Sequence, residues 1–247
     1  GASIAIGLDP HIELLPQFLR ESFAEKEGVS FRTEVSKAVL QFNRAVLEAV
    51  EGKVAAIKPQ FAFYEQLGSQ GWWALEQTCA LAKEMGMLII ADAKRGDISS
   101  TAAAYSRAIL DDQGPLGCDA VTINPWMGLD CLDPFLRYSQ TAGKAVFVLL
   151  RTTNPQSHVL QGFSNEAETA AEFLAKELNR MGEEYIGTRG LSNIGVVVGA
   201  STGEDAEKFR RLLPNSWFLV PGVGAQGHSA EAALAGRRRD GMGSLVV

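Results

Sequence analysis

Residues 87–98 read MLIIADAKRGDI, an apolar run that ends in alternating opposite charges. The run has the length and the isoleucine content of a buried strand, and Asp92, Lys94 and Asp97 stand at its end. The desolvation of a buried ion pair usually costs more free energy than the attraction between its charges provides. Stabilisation of the fold is therefore a weak explanation for these charges. This strand end is therefore a candidate site.

Seven further short apolar runs recur along the 247 residues. Segments with helical periodicity separate most of them, such as residues 33–50 and 164–182. Strands alternating with helices predict a parallel sheet covered by helices. Eight such units in a chain of about 250 residues favour the α/β class and a (β/α)8 TIM barrel, which we predict as a single domain over residues 1–247. The predicted strands are 3–9, 54–60, 87–94, 120–126, 145–152, 193–200, 217–223 and 243–247.

Composition and charge exclude several classes of function. The chain has 23 Lys and Arg against 29 Asp and Glu, a net charge of −6, which disfavours a general nucleic-acid-binding protein. No apolar run approaches the roughly 20 residues that a membrane span needs, so no membrane partner is expected. Cys79, Cys118 and Cys131 show no CxxC spacing, which predicts a reducing, cytoplasmic location. The three histidines are scattered, and no metal-ligand motif is visible.

The polar residues fall where barrel enzymes place their chemistry, at the carboxyl ends of strands. Asp9 ends the first predicted strand, Lys58 the second, and Asp92 and Lys94 the third. Period two places Asp92 and Lys94 on the same face, pointing inward. A salt-bridge network that holds loops together is the alternative. Two lysines and three aspartates at three strand ends favour a site over that alternative.

The seventh predicted strand leads into PGVGAQG, residues 221–227. Glycines after a strand leave backbone N–H groups free to approach an anion, and this position is the usual phosphate site of such barrels. Gln226 could add an amide donor. Glycine-rich loops are also common turns, so the motif alone does not decide between a phosphate site and a turn.

Several motifs together resemble the orotidine 5'-monophosphate decarboxylase family. They are LDP at 8–10, Lys58 at the second strand end, DAKRGDI at 92–98, RTTNP at 151–155 and PGVGAQG at 221–227. NPW at 124–126 matches a bacterial branch of that family. The resemblance extends over essentially the whole chain. It implies decarboxylation of orotidine 5'-monophosphate to uridine 5'-monophosphate in pyrimidine biosynthesis, without a cofactor or a metal.

The resemblance also implies catalytic roles. Asp92 would lie beside the substrate carboxylate, and Lys94 would protonate C6 after carbon dioxide leaves. Lys58 would join this charged network. Asp97 would reach into the site of a neighbouring subunit, which makes a homodimer the functional unit. An electrostatic site with a proton donor suits a carbanion that no cofactor delocalises.

The remaining candidates would bind the nucleotide. Asp9 would bind ribose hydroxyls together with Lys58, Thr153 would contact the pyrimidine, and Ile98 and Thr101 would accompany Asp97 across the dimer interface. The other candidates are Asn124 at the fourth strand end and Pro221 and Gln226 of the phosphate loop. The family also places a phosphate-binding arginine just after the eighth strand, and we expect that residue beyond Val247.

Three other functions remain open on the sequence. A metal-dependent aldolase such as hexulose-6-phosphate synthase shares DxKxxD, but it presents a carboxylate after strand two, where this chain has Lys58-Pro59. A Schiff-base aldolase could use either lysine as the nucleophile. A phosphosugar-binding protein without catalysis is the third possibility, and the presence of every charged residue expected for chemistry argues against it.

Overall fold

A computed structural model describes residues 4–199, 203–222 and 233–247. All eight predicted strands are present, each within a few residues of its expected bounds. They are β1 (Ala5–Leu8), β2 (Ala56–Pro59), β3 (Leu88–Arg95), β4 (Ala120–Ile123), β5 (Ala145–Arg151), β6 (Ser192–Val198), β7 (Ser216–Val220) and β8 (Ser244–Val246).

Nine α-helices are described between these strands. They are α1 (Gln17–Arg20), α2 (Gly28–Val50), α3 (Ala62–Glu65), α4 (Ser69–Glu84), α5 (Ser99–Leu110), α6 (Asp133–Ala142), α7 (Ser157–Gln161), α8 (Ala170–Gly182) and α9 (Gly203–Leu212). Among the helices of the described ranges, none combines the length and apolarity that a membrane crossing requires.

The strands form one eight-stranded sheet in chain order, from β1 to β8. Every strand pairing resolved within this sheet is parallel. Sequential parallel strands joined by helices are the defining arrangement of a (β/α)8 barrel. The predicted fold class is therefore confirmed.

The chain divides into two compact units, of which the first comprises Gly1–Ala93 and Arg107–Asp119. In this unit β1 pairs with β2, so that Gly7 lies opposite Lys58, and β2 pairs with β3, so that Ile57 lies opposite Ile89. Helices α2 and α4 pack against each other. The largest fully buried side chains of this unit include Leu8, Leu47, Ile57, Phe61, Tyr64, Leu75 and Ile89.

The second unit comprises Lys94–Ser106 and Ala120–Val247. It contains strands β4 to β8, paired in sequence, and helix α8 packs on β5, β6 and α9. Buried apolar side chains from the strands and from α6 form its core; they include Ile123, Phe135, Val148, Val196 and Phe218.

The predicted helix over 164–182 is wrong at its amino end. Helix α8 begins at Ala170 because Thr169 caps it: the Glu172 N–H donates to the Thr169 hydroxyl, and the Thr169 N–H donates to the Glu172 carboxylate. This reciprocal pair is a capping box, which satisfies two backbone donors and fixes the start of a helix. Ser164 instead forms an isolated antiparallel bridge with Thr169.

Candidate active site

A buried ion pair joins the carboxyl ends of β2 and β3. Lys58 Nζ lies 2.9 Å from Asp92 Oδ2, and the two residues are only 5% and 6% exposed. These small exposed fractions show that the pair is almost completely removed from water. Burying two charges costs several kcal/mol of desolvation free energy per ion, which their mutual attraction must offset. The two predicted site residues are thus brought together at a cost that a merely structural contact does not explain.

Asp9 stands at the edge of the same cluster. Its Oδ1 lies 4.0 Å from Lys58 Nζ, and its side chain is 43% exposed. The backbone carbonyl of Asp9 accepts the His11 N–H at 2.8 Å, which turns the chain directly after β1. Lys58 therefore stands between one buried and one solvent-facing carboxylate, which leaves Asp9 accessible to a ligand.

Gln60 is a member of this cluster that the sequence interpretation missed. Its Nε2 donates to Asp92 Oδ2 at 2.9 Å, and its backbone forms a parallel bridge with Asp92. A signal was available, because Gln60 follows Lys58 by two residues and period two places both on one face of a strand.

Lys94, the predicted proton donor, has an unusual backbone. Its φ is +47°, the left-handed region that a residue with a side chain rarely adopts. The Lys94 N–H donates to the Thr122 hydroxyl of β4 at 2.9 Å, which holds this conformation. The regular alternation of side-chain direction predicted for β3 is therefore interrupted at Lys94. Lys94 is exposed, whereas Asp92 is buried. Strained backbone of this kind clusters at functional sites.

The next residues lock the end of β3 to the end of β4. Asn124 donates its backbone N–H to the Arg95 carbonyl at 2.8 Å, and its side-chain oxygen accepts the Trp126 N–H at 3.1 Å. A Cβ at Gly96 would overlap the Asn124 carbonyl oxygen, so only glycine fits there. Asn124 is exposed at this strand end, as predicted. Its contact with a substrate stays a prediction.

Asp97, Ile98 and Thr101 lie where α5 begins. The Ile98 N–H donates to Asp97 Oδ1 at 2.8 Å, and Asp97 is half-buried. Ile98 is 46% exposed, and Thr101, on the first turn of α5, is also exposed. The three residues form one accessible surface segment.

Thr153 follows β5 and packs against the end of β6. A Cβ at Gly199 would overlap the Thr153 methyl group, and the Gly199 N–H donates to the Arg151 carbonyl at 2.8 Å. The adjoining backbone is held by Gln161, whose side chain exchanges hydrogen bonds with the Thr152 N–H and hydroxyl. The position of Thr153 thus depends on the absence of a side chain at Gly199.

The last two candidates belong to the predicted phosphate loop. Pro221 directly follows β7 and is half-buried. Gln226 lies outside the residues that the structure describes.

A buried hydrogen-bonded network joins helices α2, α3 and α4. Asn43 of α2 donates to the Tyr64 hydroxyl at 2.9 Å and to the Thr78 hydroxyl at 3.0 Å, with all three side chains buried. Burial raises the pKa of Tyr64 well above its usual range, and the Asn43 hydrogen bond only partly opposes this. Tyr64 therefore stays neutral, and Asn43 links α2 to both α3 and α4.

A metal site built from protein side chains usually needs at least three converging His, Cys, Asp or Glu ligands. Over 4–199, 203–222 and 233–247, no group of three such side chains has the required arrangement. All three cysteines are free and buried.

Comparison with known proteins supports one family. Residues 5–241 match the model of the orotidine 5'-phosphate decarboxylase / HUMPS family. Orotidine 5'-phosphate decarboxylase from Rhodopirellula baltica is 38% identical over 250 residues, covering 100% of this chain and 82% of that protein. The enzyme of the same name from Clostridium novyi is 36% identical over 245 residues, covering 99% of this chain and 81% of that protein.

A solved structure agrees with this result. A Toxoplasma gondii protein assigned as an orotidine-monophosphate decarboxylase superposes with a TM-score of 0.84 at 33% identity, covering 99% of this chain and 83% of that chain. The match extends over the strands that carry the Lys58–Asp92 pair and over the segment that begins at Lys94. The family predicted from the motifs is confirmed: the chain belongs to the orotidine 5'-phosphate decarboxylase / HUMPS family.

Proposed function

We propose that this chain decarboxylates orotidine 5'-monophosphate to uridine 5'-monophosphate and carbon dioxide, with Lys94 delivering the proton to C6. The reaction is that of its named relatives at 36–38% identity and belongs to pyrimidine biosynthesis. It makes the chain a carbon–carbon lyase, as the motifs predicted.

The buried Lys58–Asp92 pair is the observation that carries the residue assignment. An ion pair 2.9 Å long and almost fully desolvated is a fixed charge arrangement that needs no reorganisation during a reaction. Such preorganised charges act most strongly where water is excluded. The pair stands at strand ends, which is where barrel enzymes hold their reacting groups.

The chemistry requires a charged environment and a proton. The C6–carboxylate bond breaks heterolytically, carbon dioxide leaves, and the electron pair stays on C6. The Lys94 ammonium stabilises this carbanion and then transfers a proton to C6, which leaves a neutral amine that solvent reprotonates. Asp92 faces the substrate carboxylate, so its negative charge disfavours the ground state.

Charge repulsion alone is too small to explain catalysis. Two like charges about 4 Å apart at an effective dielectric of about 20 repel by about 4 kcal/mol. Enzymes of ordinary power lower barriers by about 8–23 kcal/mol. The rest is assigned to the field of Lys94 and to binding energy from the phosphate, which acts through loop closure. A substrate without phosphate should therefore lose turnover as well as affinity.

The other predicted residues are assigned to substrate binding. The exposed Asp9 carboxylate beside Lys58 is assigned to binding a ribose hydroxyl. Thr153 is assigned to the pyrimidine, because the missing side chain of Gly199 fixes where Thr153 can pack. Asn124, Pro221 and Gln226 are assigned to the substrate on the sequence resemblance.

We also propose a homodimer in which Asp97 acts in the partner's site. Large apolar side chains are exposed on two segments: Ile98 and Tyr105 follow Asp97, and Trp126, 74% exposed, and Met127 follow β4. Arg95 connects the two segments. Its guanidinium lies over the Tyr105 ring, 5.3 Å from the centroid, and its backbone carbonyl accepts the N–H of Asn124, two residues before Trp126. A second copy of the chain would remove these side chains from water.

Mixing two inactive variants tests the shared site. Lys94→Ala and Asp97→Ala homodimers should each be inactive. A heterodimer holds one site with both wild-type residues, so activity should return after the two variants exchange subunits. Absence of recovery, with heterodimers present, would place Asp97 in its own subunit's site or outside any site.

The free, buried cysteines support a reducing compartment, and we propose that the chain acts in the cytoplasm. We propose further that residues 1–247 fold as one domain. A single cooperative unfolding transition, coincident by fluorescence and circular dichroism, would support the single domain.

The loss of orotidylate ultraviolet absorbance tests the function directly. It should be measured with EDTA present, for the wild type and Lys94→Ala. Loss that needs Lys94 and ignores EDTA is the expected result. No loss with the wild type, combined with metal-dependent aldol cleavage of a hexulose phosphate, would shift the assignment to the synthase branch of the family. Lys58-Pro59 at the strand-two position disfavours that branch.

A further inference from the structure

Gln60 donates a hydrogen bond to Asp92 that has no role in the proposed decarboxylation steps. Its Nε2 and Lys58 Nζ each lie 2.9 Å from the same carboxylate oxygen, Oδ2. The χ2 torsion of an aspartate has broad minima, so a carboxylate held by one donor can still turn. Two donors converging from different positions on one oxygen fix the plane of the group, and hence the direction of its second oxygen.

The backbone around Gln60 is itself fixed on both sides. The Gln60 N–H donates to the Leu8 carbonyl of β1 at 3.1 Å, and the next residue, Phe61, donates its N–H to the Asp92 carbonyl at 3.1 Å. Gln60 also forms a backbone bridge with Asp92. The amide therefore approaches Asp92 from a rigid strand end, which is the support that a precisely held site needs.

A neutral donor suits this position. A second cation beside Lys58 would cancel the negative charge with which Asp92 acts on the substrate carboxylate. An amide orients the carboxylate and adds no net charge. It also cannot lose its donor capacity as the pH changes.

We propose that Gln60 is a positioning residue that acts through Asp92 and sets the orientation of its carboxylate for the decarboxylation step. The proposal rests on the proposed function, because it assumes that Asp92 faces the substrate carboxylate. It places the effect of Gln60 in turnover and not in nucleotide binding. The product has lost the carboxylate, so its affinity should not depend on Gln60.

The test is Gln60→Met, which keeps the side-chain length and removes the donor. We expect kcat for orotidylate to fall by about 10-fold to 100-fold, the range for losing a hydrogen bond to a charged group. KM should not rise, because the repulsion between Asp92 and the substrate carboxylate weakens binding only in the wild-type orientation, and the Kd for uridine 5'-monophosphate should stay unchanged. Gln66→Met is the matched control, since Gln66 is exposed on the same segment and its side-chain amide donates to the Phe63 carbonyl, at 3.2 Å.

Each outcome separates the two proposals. An inactive wild type would overturn the proposed function, whatever Gln60 does. An active wild type with an equally active Gln60→Met enzyme would overturn the positioning role. A rise in KM and in the product Kd with unchanged kcat would also overturn it, because Gln60 would then bind the nucleotide. If Gln60→Met does not fold, Gln60→Asn replaces it, because the asparagine amide is one methylene too short to reach Asp92. The same fall in kcat is then expected. Wild-type turnover by Gln60→Asn would contradict the proposal.

Discussion

Lys58 and Asp92 satisfy each other's charge inside the protein, with Nζ and Oδ2 2.9 Å apart and both residues nearly inaccessible to water. Removing one partner of such a pair leaves an uncompensated buried charge, whereas replacing both by apolar groups is often neutral or stabilising. This asymmetry separates a role in stability from a role in catalysis.

The first prediction uses that asymmetry. Lys58→Met should lower the free energy of unfolding by about 3–5 kcal/mol, because the buried Asp92 carboxylate loses the ammonium group that lies 2.9 Å away. The double variant Lys58→Met/Asp92→Leu should recover most of this loss and remain inactive. Urea unfolding and the orotidylate absorbance assay measure the two quantities on the same samples. A double variant that regains activity with its stability would contradict a catalytic role for the pair.

The second prediction concerns the left-handed backbone of Lys94. A side chain at φ +47° costs about 1–2 kcal/mol relative to glycine. Lys94→Gly should therefore be more stable than Lys94→Ala by about 1 kcal/mol, even though glycine gains more backbone entropy on unfolding. Both variants should lack turnover, since neither carries an ammonium group. Chemical unfolding of the two variants, side by side, is the measurement. Equal stability, or a more stable alanine variant, would mean that the conformation carries no strain.

Sequence periodicity predicted the strands and the charges at their ends because both depend on local pattern. Asp9, Lys58 and Asp92 converge as expected, since parallel strands bring their carboxyl ends to one edge of a sheet. Period two does place Gln60 on the same face as Lys58, but its contact with Asp92 depends on the register between β2 and β3, which opposes Gln60 to Asp92. No periodicity encodes which residues of two distant strands stand opposite each other.

The backbone at the site was unpredictable for a related reason. The left-handed Lys94 is stabilised by Thr122, a residue 28 positions later on another strand. The start of α8 was misplaced by a local competition, because Thr169 offers a complete capping box that Ser164 lacks. Tertiary contacts thus decided the first feature and cap chemistry the second.

The third prediction concerns Gly199 and Thr153. Gly199→Ala would place a methyl group where the Thr153 methyl lies, so Thr153 or its strand end must move. We expect KM for orotidylate and the Kd for uridine 5'-monophosphate to rise together, because both ligands carry the pyrimidine assigned to Thr153. Gly187→Ala is the control, since a Cβ there meets only the Leu191 carbonyl at 3.7 Å. Unchanged binding by Gly199→Ala would remove Thr153 from the pyrimidine contact.

The last prediction is a pH dependence of stability at the start of α8. Hydrogen bonds from Lys208 and then from Thr169 lower the pKa of Glu172 from 4.5 to about 2. The folded-state pKa lies below the unfolded value, so ionised Glu172 stabilises the fold above pH 4.5, and this contribution disappears as the pH falls towards 2. The Lys208 side chain is 43% exposed, so solvent screening limits the contribution of ionised Glu172 to the free energy of unfolding to about 1 kcal/mol.

Glu172→Gln should therefore unfold more easily than the wild type at pH 7, and the difference should shrink steadily below pH 4.5. Urea unfolding at several pH values between 7 and 3 measures it. Glu177→Gln is the matched control on the same helix, because Glu177 pairs only with Arg180, whose side chain is 71% exposed, and its difference from the wild type should stay small at every pH. Equal stability of Glu172→Gln and the wild type at pH 7 would assign the stabilisation to the shape of the capping box, because glutamine preserves that shape and removes only the carboxylate charge.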